Sequence, residues 1–320
     1  MILVVTNRRD QTADFGVVEM RRRGVPYFRF NTEDFPETTR SSLRFDPQGN
    51  TGHLTSGRRS LRLEEVQSVW FRRPVMPIPS SRIRERGARE FSRVESLAYI
   101  EGLWNILDCF WVSRPDRIRT AESKLLQLKV AHRLGFSIPR TLVTSDPGEA
   151  GDFLTATDKA VYKPLRQSRL ECREGTKVIF TSVVRDSSSD ELERVKYAPC
   201  LFQEYVPKRF ELRVTVFGTN LFATEIHSQA TEDAKDDWRR SPSRAVPHRA
   251  HALPHEIETK CIQLVETLGL AFGAIDMVLT PQGEYVFLEI NPNGQWAWIE
   301  QRTGQPMSRS LVDLLVQGRI

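Results

Sequence analysis

Long apolar runs, paired cysteines and a secretory leader are all missing from this 320-residue sequence. No stretch approaches the roughly 20 apolar residues of a membrane span, so we expect no membrane partner. The N-terminal apolar stretch Met1–Val5 runs directly into Thr6-Asn7-Arg8-Arg9, without a charged lead or a small-residue cleavage site. It predicts a buried first strand in a cytoplasmic protein.

The four cysteines are too far apart in the sequence to suggest a shared role. Cys109, Cys172, Cys200 and Cys261 include no Cys-x-x-Cys pair, and no second cysteine accompanies the histidines that precede Cys261. Disulfide frameworks and zinc sites are recognised by such spacings. We therefore expect buried structural thiols.

Lysine is scarce and arginine abundant, since only 9 of the 46 basic residues are lysine and none precedes Lys124. The net charge of +5 and the arginine excess suit a nucleic-acid partner, an acidic substrate or a genome-wide preference for arginine codons. Basic and acidic residues are interspersed, as in Arg82-Ile83-Arg84-Glu85-Arg86, which is typical of a solvated helix face. We favour the codon preference and expect no nucleic-acid partner. A lysine at a defined structural position then becomes a site candidate.

Hydrophobic and turn patterns divide the chain into three units of an α/β (α+β) protein. Residues 1–115 resemble a small α/β domain, but no Gly-x-Gly-x-x-Gly follows the first strand, so the dinucleotide-binding fingerprint is absent. Residues 116–206 form a second unit, in which we expect a helix over Ala121–Leu134 and a strand over Thr176–Val184. The strand-rich residues 207–320 form the third unit.

Oxygen-bearing side chains interrupt two strands near the C-terminus. Asp276 lies within the apolar stretch Phe272–Val278, and Glu289 and Asn291 are two residues apart in the following strand, so they share one face. Three oxygen ligands on neighbouring strands suit Mg²⁺, although three unrelated polar residues at a strand edge would give the same pattern. The pairing of Asp276 with Glu289 and Asn291 favours the metal. The apolar residues expected together on the opposite face are Val286, Leu288 and Ile290.

Cationic side chains precede these strands. Lys163 lies in a predicted strand and Lys124 at the start of a predicted helix. Most such lysines extend to solvent, but two of only nine lysines placed before the metal strands favour contacts with phosphate. Glu211 and Arg213 share a strand face, which is typical of a surface ion pair, yet beside the metal residues Arg213 becomes a candidate to stabilise a phosphoryl group in transfer.

The order of these residues resembles that of the ATP-grasp ligases. The residues that carry the resemblance are Lys124, Lys163, Gln203-Glu204-Tyr205-Val206, Glu211-Leu212-Arg213, Asp276 and Glu289-Ile290-Asn291. Two further stretches, Val69-Trp70-Phe71-Arg72-Arg73-Pro74 and Glu289–Glu300 followed by Thr303-Gly304, resemble the microviridin-type peptide maturases, or graspetide synthetases. The resemblance covers the whole chain and implies an N-terminal pre-ATP-grasp domain at 1–115, with two lobes at 116–206 and 207–320 that clasp ATP.

The resemblance also implies a role for each matching residue. Lys124 and Lys163 would hold the ATP phosphates, the stretch Gln203–Val206 would contact the adenine at the hinge, and Glu211 would bind the ribose hydroxyls. Arg213 would neutralise the transition state of acyl-phosphate formation, and the three oxygen ligands would hold Mg²⁺. The chain departs from the family at Gln167–Thr176, which corresponds to a phosphate-covering loop that is often glycine-rich and here contains only Gly175.

The implied reaction is ATP-dependent closure of side-chain ester or amide rings between Asp or Glu and Ser, Thr or Lys of a ribosomal precursor peptide with a leader and an acidic core. The residues proposed on the substrate side are Arg72, Arg73, His227, Asp237, Trp238 and Arg239. The last three lie in the polar segment 229–253, whose length inside a compact domain is typical of a mobile or substrate-facing segment.

Three alternatives remain open. The first is a related ligase that adds free amino acids to a peptide or protein terminus. The second is a nucleotide-binding module without turnover, and the third is a basic nucleic-acid binder. The candidate residues Lys163, Arg213, Asp276 and Glu289 argue against an inactive module. A homodimer is also left open.

Overall fold

The computed structural model of the chain describes residues 1–166, 169–172, 175–179, 181–184, 189–230 and 246–320. The strands are β1 (Ile2–Thr6), β2 (Tyr27–Asn31), β3 (Thr39–Asp46), β4 (Gly49–Ser56), β5 (Arg59–Arg62), β6 (Ser68–Phe71), β7 (Phe110–Val112), β8 (Thr141–Thr144), β9 (Ala160–Lys163), β10 (Arg169–Cys172), β11 (Gly175–Val178), β12 (Ser182–Val184), β13 (Cys200–Glu204), β14 (Phe210–Phe217), β15 (Asn220–Ile226), β16 (His248–His251), β17 (Phe272–Leu279) and β18 (Tyr285–Asn291). The α-helices are α1 (Gln11–Arg22), α2 (Arg86–Ile106), α3 (Pro115–Ala121), α4 (Lys124–Arg133), α5 (Pro147–Thr155), α6 (Ser189–Glu193), α7 (His255–Thr267), α8 (Ala297–Thr303) and α9 (Met307–Gln317). Among the described residues, no helix combines the length and the apolar composition needed to cross a bilayer.

The N-terminal part is built on a parallel four-stranded sheet in the order β2-β1-β6-β7. All five residues of β1 are buried, as expected for a central strand covered on both faces. Asp10 then begins α1, because its carboxylate accepts the backbone N–H groups of Thr12 and Ala13. An antiparallel sheet, β3-β4-β5, packs beside this unit. The α/β character expected of the N-terminal unit is therefore confirmed.

Beyond the N-terminal part, the described residues form two larger antiparallel sheets and the two-stranded β10–β11 sheet. The first has four strands in the order β12-β9-β13-β8, and the second has five in the order β16-β15-β14-β17-β18. Helix α7 packs on the five-stranded sheet and contributes Leu264 and Val265 to a buried cluster with Val214 and Ile275. The chain passes from one sheet to the other between β13 and β14. The predicted domain boundaries at 115 and 206 stay predictions.

Two elements of the second unit differ from the expectation. The helix expected over Ala121–Leu134 begins at Lys124, because the Ser123 side chain accepts the backbone N–H of Leu126 and caps it. The strand expected over Thr176–Val184 is two strands. The first, β11, pairs with β10, and the second, β12, pairs with β9, so an apolar run that looks continuous serves two different sheets.

The face predicted for Val286, Leu288 and Ile290 is wrong, because β18 contains a bulge. Asp276 pairs with Glu289, but the next residue of β17, Met277, pairs with Phe287, so Leu288 has no partner of its own. One extra residue reverses the alternation of side chains beyond it. Phe287 and Ile290 consequently share the core cluster, and Leu288 faces the opposite side.

Candidate active site

A cavity of about 500 Å³ lies between the four-stranded sheet β12-β9-β13-β8 and the five-stranded sheet β16-β15-β14-β17-β18. Strands β9 and β13 supply one wall and strands β14, β17 and β18 supply the other, while Arg73 enters from the N-terminal part. All of the nucleotide, metal and catalytic candidates line this cavity. These lining candidates are Lys124, Lys163, Gln203, Glu204, Tyr205, Val206, Glu211, Arg213, Asp276, Glu289 and Asn291.

The three oxygen-bearing candidates are brought together by strand register. Asp276 and Glu289 are directly paired, and Asn291 is two residues further along the same strand. The Asn291 amide donates to the Asp276 carboxylate at 2.9 Å (Nδ2 to Oδ2). The described residues contain no group of three or more His, Cys, Asp and Glu arranged for a metal ion. Two carboxylates and one amide oxygen nevertheless fit Mg²⁺, which commonly takes one or two carboxylates plus water and substrate phosphate oxygens.

Arg213 faces the same carboxylate from the neighbouring strand. It pairs with Asp276 in the β14–β17 ladder, and its Nη1 lies 2.7 and 2.8 Å from the two carboxylate oxygens. The side chain is nearly buried, and its Nε has no hydrogen-bond partner among the described residues. The guanidinium is thereby held at a fixed position in the cavity, against Asp276.

The two candidate lysines approach from other elements. Lys124, in the first turn of α4, forms an ion pair with Glu289 at 2.8 Å (Nζ to Oε2). Lys163, at the end of β9, donates to the side-chain oxygen of Gln203 at 2.6 Å. Gln203 is fixed in turn by its own donation to Thr141 Oγ1 at 2.9 Å. Gln203 therefore orients Lys163, whereas Lys124 balances the charge of a metal-ligand candidate.

Glu204 and Tyr205, where the chain leaves β13, are held in place by backbone hydrogen bonds. The Glu204 N–H donates to the carbonyl of Arg140, and the Tyr205 N–H donates to the carbonyl of Lys159. The Lys159 ammonium also lies 3.6 Å from the centre of the Tyr205 ring. The Glu204 side chain stays exposed at the cavity. A planar ligand in this part of the cavity would contact a preformed edge of backbone.

Sequence reasoning missed Lys208. Its ammonium lies 2.8 Å from the carboxylate of Glu211, and its side chain is 7% exposed. It also lines the cavity, together with Glu211. The scarcity of lysine made Lys208 as notable as Lys124, and it precedes Glu211 by only three residues. The sequence did not indicate the turn that directs its side chain into the cavity.

The two adjacent arginines after β6 lie in different environments. Arg72 is 1% exposed and outside the cavity lining, whereas Arg73 lines the cavity and has a left-handed backbone (φ 46°), which is uncommon outside glycine. Burial lowers the pKa of Arg72 to about 10, so its guanidinium remains charged at neutral pH. Burial also lowers the pKa of Arg73, although nearby Asp10 favours the charged form. Both donate to the backbone carbonyl of Asn293, Arg73 from Nε at 3.1 Å.

His227 is the one other substrate candidate that the described residues include. His227 is not among the residues that line the cavity. It contacts Glu225 at 2.8 Å, and His251 contacts the same carboxylate at 2.7 Å. Burial opposes ionisation of Glu225, but hydrogen bonds from both histidines lower its pKa. Asp237, Trp238 and Arg239 lie outside the described residues, so their roles stay predictions. In the 167–176 stretch the described residues form the β10–β11 hairpin.

Trp298 also lines the cavity, at the end near Gly294 and Gln295. Its ring makes an edge contact with His248 at 5.2 Å between centroids, and the Arg302 guanidinium lies 5.2 Å from the ring centre. An aromatic ring with a cation beside it is thereby added to a cavity whose lining carries both charged residues and apolar ones such as Val278 and Leu288.

Sequence comparison finds two family matches in tandem. Residues 1–119 match the family described as MvdD pre-ATP grasp domain, and residues 121–315 match the RimK-like ATP-grasp domain. Among curated proteins, the tetrahydromethanopterin:alpha-L-glutamate ligase of Methanocaldococcus jannaschii is 22% identical over 237 residues, which cover 73% of this chain and 78% of that protein.

Structural comparison extends the similarity over the whole length. A RiPP-associated ATP-grasp ligase of Chryseobacterium gregarium, solved with ADP and a leader and core peptide, is 31% identical, with a TM-score of 0.92 over 99% of this chain and 96% of that chain. Macrocyclase MdnC of Microcystis aeruginosa MRC, solved with precursor peptide MdnA, is 32% identical, with a TM-score of 0.86 over 99% of both chains. Macrocyclase MdnB of the same organism is 30% identical, with a TM-score of 0.79 over 98% of both chains.

Proposed function

Because this chain belongs to the ATP-grasp family, with an MvdD-type pre-ATP-grasp domain followed by a RimK-like ATP-grasp domain, we propose that it is an ATP-dependent carboxylate ligase acting on a ribosomal precursor peptide. It phosphorylates Asp or Glu side chains of the peptide and closes ω-ester or ω-amide rings with Ser, Thr or Lys side chains. One observation carries the proposal: a single cavity joins Arg213, the paired carboxylates Asp276 and Glu289, and two lysines from other elements.

The reaction proceeds in two balanced steps. An oxygen of the peptide carboxylate attacks the γ-phosphorus of ATP, the bond from that phosphorus to the β,γ-bridging oxygen breaks, and ADP leaves. A side-chain hydroxyl or amine then attacks the carbonyl carbon of the acyl phosphate, gives up its proton, and inorganic phosphate leaves. The first step is needed because a free carboxylate has no good leaving group. The sum is one ring, one ADP and one phosphate.

The residues of the cavity divide this work. Lys163, oriented by Gln203, and Lys124 hold phosphate oxygens as compact point charges. Gln203 to Val206 border the adenine, and Glu211, paired with Lys208, accepts the ribose hydroxyls. Arg213 faces the group in transfer and neutralises the charge that develops on its oxygens.

Asp276, Glu289 and Asn291 would hold Mg²⁺, which when bound neutralises phosphate charge and favours phosphoryl transfer. Each of the two carboxylates already has a cation within 2.8 Å, and both line the cavity. Arg73, which lines the same cavity, supplies a positive charge for the acidic side chains of the peptide core. His227, Asp237, Trp238 and Arg239 remain proposed substrate contacts.

The experiment combines the protein with ATP, Mg²⁺ and a peptide encoded by a short reading frame beside its gene. Each ring removes one water from the peptide mass, and tandem mass spectrometry locates the link. Hydroxylamine, a strong nucleophile, would trap the acyl phosphate as a hydroxamate on Asp or Glu. Glu289→Gln is the matched inactive variant. No change of mass and no hydroxamate with several neighbouring peptides would overturn the proposal.

The second candidate is a ligase that adds free amino acids to a peptide or protein terminus. It is favoured by the RimK-like domain match and by the glutamate ligase among the curated relatives. Both reactions pass through an acyl phosphate, so the cavity serves either. The mass separates them, since addition gains an amino-acid residue whereas ring closure loses water.

A further inference from the structure

Arg72 connects the N-terminal domain to the turn that follows the metal-ligand strand. This turn, Asn291-Pro292-Asn293-Gly294, begins with a proposed magnesium ligand. Arg72 Nη1 donates to the backbone carbonyl of Asn293 and, at 2.8 Å, to its side-chain oxygen. A planar guanidinium nitrogen that meets two acceptors of one residue fixes both the backbone and the rotamer of that residue.

The other side of Arg72 faces Asp10. Arg72 Nε lies 3.4 Å from Asp10 Oδ2, and both side chains are almost completely buried. Asp10 cannot move freely, because its carboxylate also accepts the N–H groups of Thr12 and Ala13 and the hydroxyl of Thr6. The backbone N–H of Arg72 donates to Val5 at 2.7 Å and so continues the β1–β6 ladder. Arg72 is therefore anchored to the rigid core of the N-terminal domain.

The turn has little freedom of its own. The Gly294 N–H donates to the Asn291 carbonyl at 3.2 Å. A Cβ on Gly294 would lie 2.5 Å from the Cβ of Ala274 on β17, so the turn is pressed against the strand that carries Asp276. Arg72 holds the turn from the other side through its hydrogen bonds to Asn293. Any displacement of Asn293 would be passed through one proline to Asn291.

The stability of the fold does not account for Arg72. Among the described residues, its Nε makes no hydrogen bond beyond the 3.4 Å ion pair with Asp10, and its Nη2 has no hydrogen-bond partner. Unsatisfied buried polar groups lower the stability of a fold. Apolar side chains of similar volume in place of both Arg72 and Asp10 would often be at least as stable. A charged residue here is better explained by what it orients.

We propose that Asp10 and Arg72 position the turn Asn291–Gly294, so that the N-terminal domain sets the geometry of magnesium binding in the ATP-grasp domain. This inference rests on the proposed function, because it assumes that Asp276, Glu289 and Asn291 hold Mg²⁺. Arg72 acts through Asn293 and is a positioning residue. The adjacent Arg73, which lines the cavity, faces the ligand itself.

The test measures ADP binding by calorimetry, with Mg²⁺ and with EDTA, for the wild-type protein, Arg72→Gln and Arg72→Lys. Outer-shell partners of a metal site typically contribute about 10–100-fold in metal affinity. We expect Arg72→Gln to bind ADP in EDTA with an affinity within about twofold of the wild type. The factor by which Mg²⁺ increases the ADP affinity should be about tenfold smaller in the variant than in the wild type. Arg72→Lys keeps the charge but not the forked geometry and should recover only part of that gain.

Arg89→Gln is the matched control. Arg89 also donates from Nη1 to two acceptors, the carbonyls of Ser80 and Ile83 at 3.0 and 3.1 Å, but far from the turn. It should leave ADP binding unchanged in both conditions. Should Arg72→Gln fail to fold, Asn293→Ala removes the side-chain acceptor from the opposite end and should reduce the same Mg²⁺-dependent gain.

Three results would overturn the inference. An unchanged Mg²⁺-dependent gain in both Arg72→Gln and Asn293→Ala would show that the contact positions nothing. Equal losses with Mg²⁺ and with EDTA, accompanied by a lower melting temperature, would show a structural role only. A wild-type protein that gains nothing from Mg²⁺ would remove the metal site itself, and the proposed function would then fail on its own account.

Discussion

Arg213 and Asp276 are direct neighbours across β14 and β17, and one nitrogen of the guanidinium contacts both oxygens of the carboxylate. Asp276 is also a proposed metal ligand. Mg²⁺ would compete with Arg213 for the same oxygens, and the arginine would then be free to face the phosphoryl group. The pair is therefore expected to separate during the reaction, and its two members should affect different steps.

Replacing Arg213 should slow chemistry more than it weakens ATP binding. We expect Arg213→Gln to lower kcat by about 100-fold or more, the range seen when a group that stabilises the transition state is removed. The KM for ATP should change far less, since the lysines and the hinge remain. The measurement is steady-state ADP release with peptide present.

Arg209→Gln serves as the control for Arg213. Arg209 is exposed, precedes β14 by one residue, and has the Phe210 ring as its neighbour. It should leave kcat unchanged. A large rise in KM with an unchanged kcat in Arg213→Gln would assign Arg213 to binding and contradict the catalytic role.

Replacing Lys163 should weaken ATP binding. Lys163→Gln removes a charged donor held by Gln203, and a hydrogen bond to a charged group contributes about 1.5–3 kcal/mol. The KM for ATP should therefore rise by about tenfold or more. Lys196→Gln is the control, because Lys196 contacts Glu193 and the Tyr197 ring at an exposed position outside the cavity lining. Equal KM values in the two variants would exclude Lys163 from phosphate contact.

Much of the cavity could be predicted because its residues lie on regular strands. Side chains alternate between the two faces of β14 and of β17. The pattern alone therefore predicts that Arg213 and Asp276 lie on the face of their strand opposite to its apolar neighbours. The turn between β17 and β18 sets the pairs from Leu279–Tyr285 to Met277–Phe287. This register alone would pair Asp276 with Leu288, so the pairing of Asp276 with Glu289 depends on the bulge. Strands with local pairing are where sequence reasoning succeeds.

The features that were missed depend on contacts that are distant in sequence or on irregular backbone. The bulge that leaves Leu288 unpaired has no clear sequence signal, and it alone reverses the expected face of β18. The burial of Arg72 depends on Asn293, more than 200 residues away. A basic residue after a strand usually reaches solvent, so nothing local indicated this contact.

Adding a methyl group at Gly294 should disturb the turn after β18. The new Cβ would meet Ala274 at 2.5 Å and Asn291 at 3.2 Å, and overpacking of this kind costs about 1–3 kcal/mol. We expect Gly294→Ala to lower the free energy of unfolding by that amount and to reduce the Mg²⁺-dependent gain in ADP binding. The measurements are urea unfolding and calorimetry.

Two further variants distinguish the effect of the steric clash from the effect of replacing a glycine as such. Ala274→Gly combined with Gly294→Ala removes the Cβ that the new methyl group meets, and should restore part of both losses. Gly102→Ala adds a Cβ in the middle of α2 with nothing within 4 Å, and should raise the free energy of unfolding by about 0.5–1 kcal/mol. A Gly294→Ala protein as stable as the wild type would show that the turn can relax.

His248 should make the protein less stable at acidic pH. Burial, together with the Arg302 guanidinium beside it, lowers the pKa of His248 from 6.5 to about 4. Between these values the unfolded chain binds a proton that the folded protein does not, so the free energy of unfolding falls as the pH drops from 6.5 toward 4. The contribution is at most about 3 kcal/mol, since the ring keeps some solvent contact.

The check compares urea unfolding of the wild type and His248→Gln at pH 7 and pH 5. Glutamine keeps a hydrogen-bonding group near Arg302 but does not titrate, so the variant should lose less stability between the two pH values than the wild type loses. The same measurements on His53→Gln, at an exposed position of β4, supply the reference for substitution of a histidine. Equal pH dependence in the wild type and His248→Gln would mean that His248 binds its proton equally well in the folded and unfolded protein, and the wall behind Trp298 would then be more hydrated than its packing indicates.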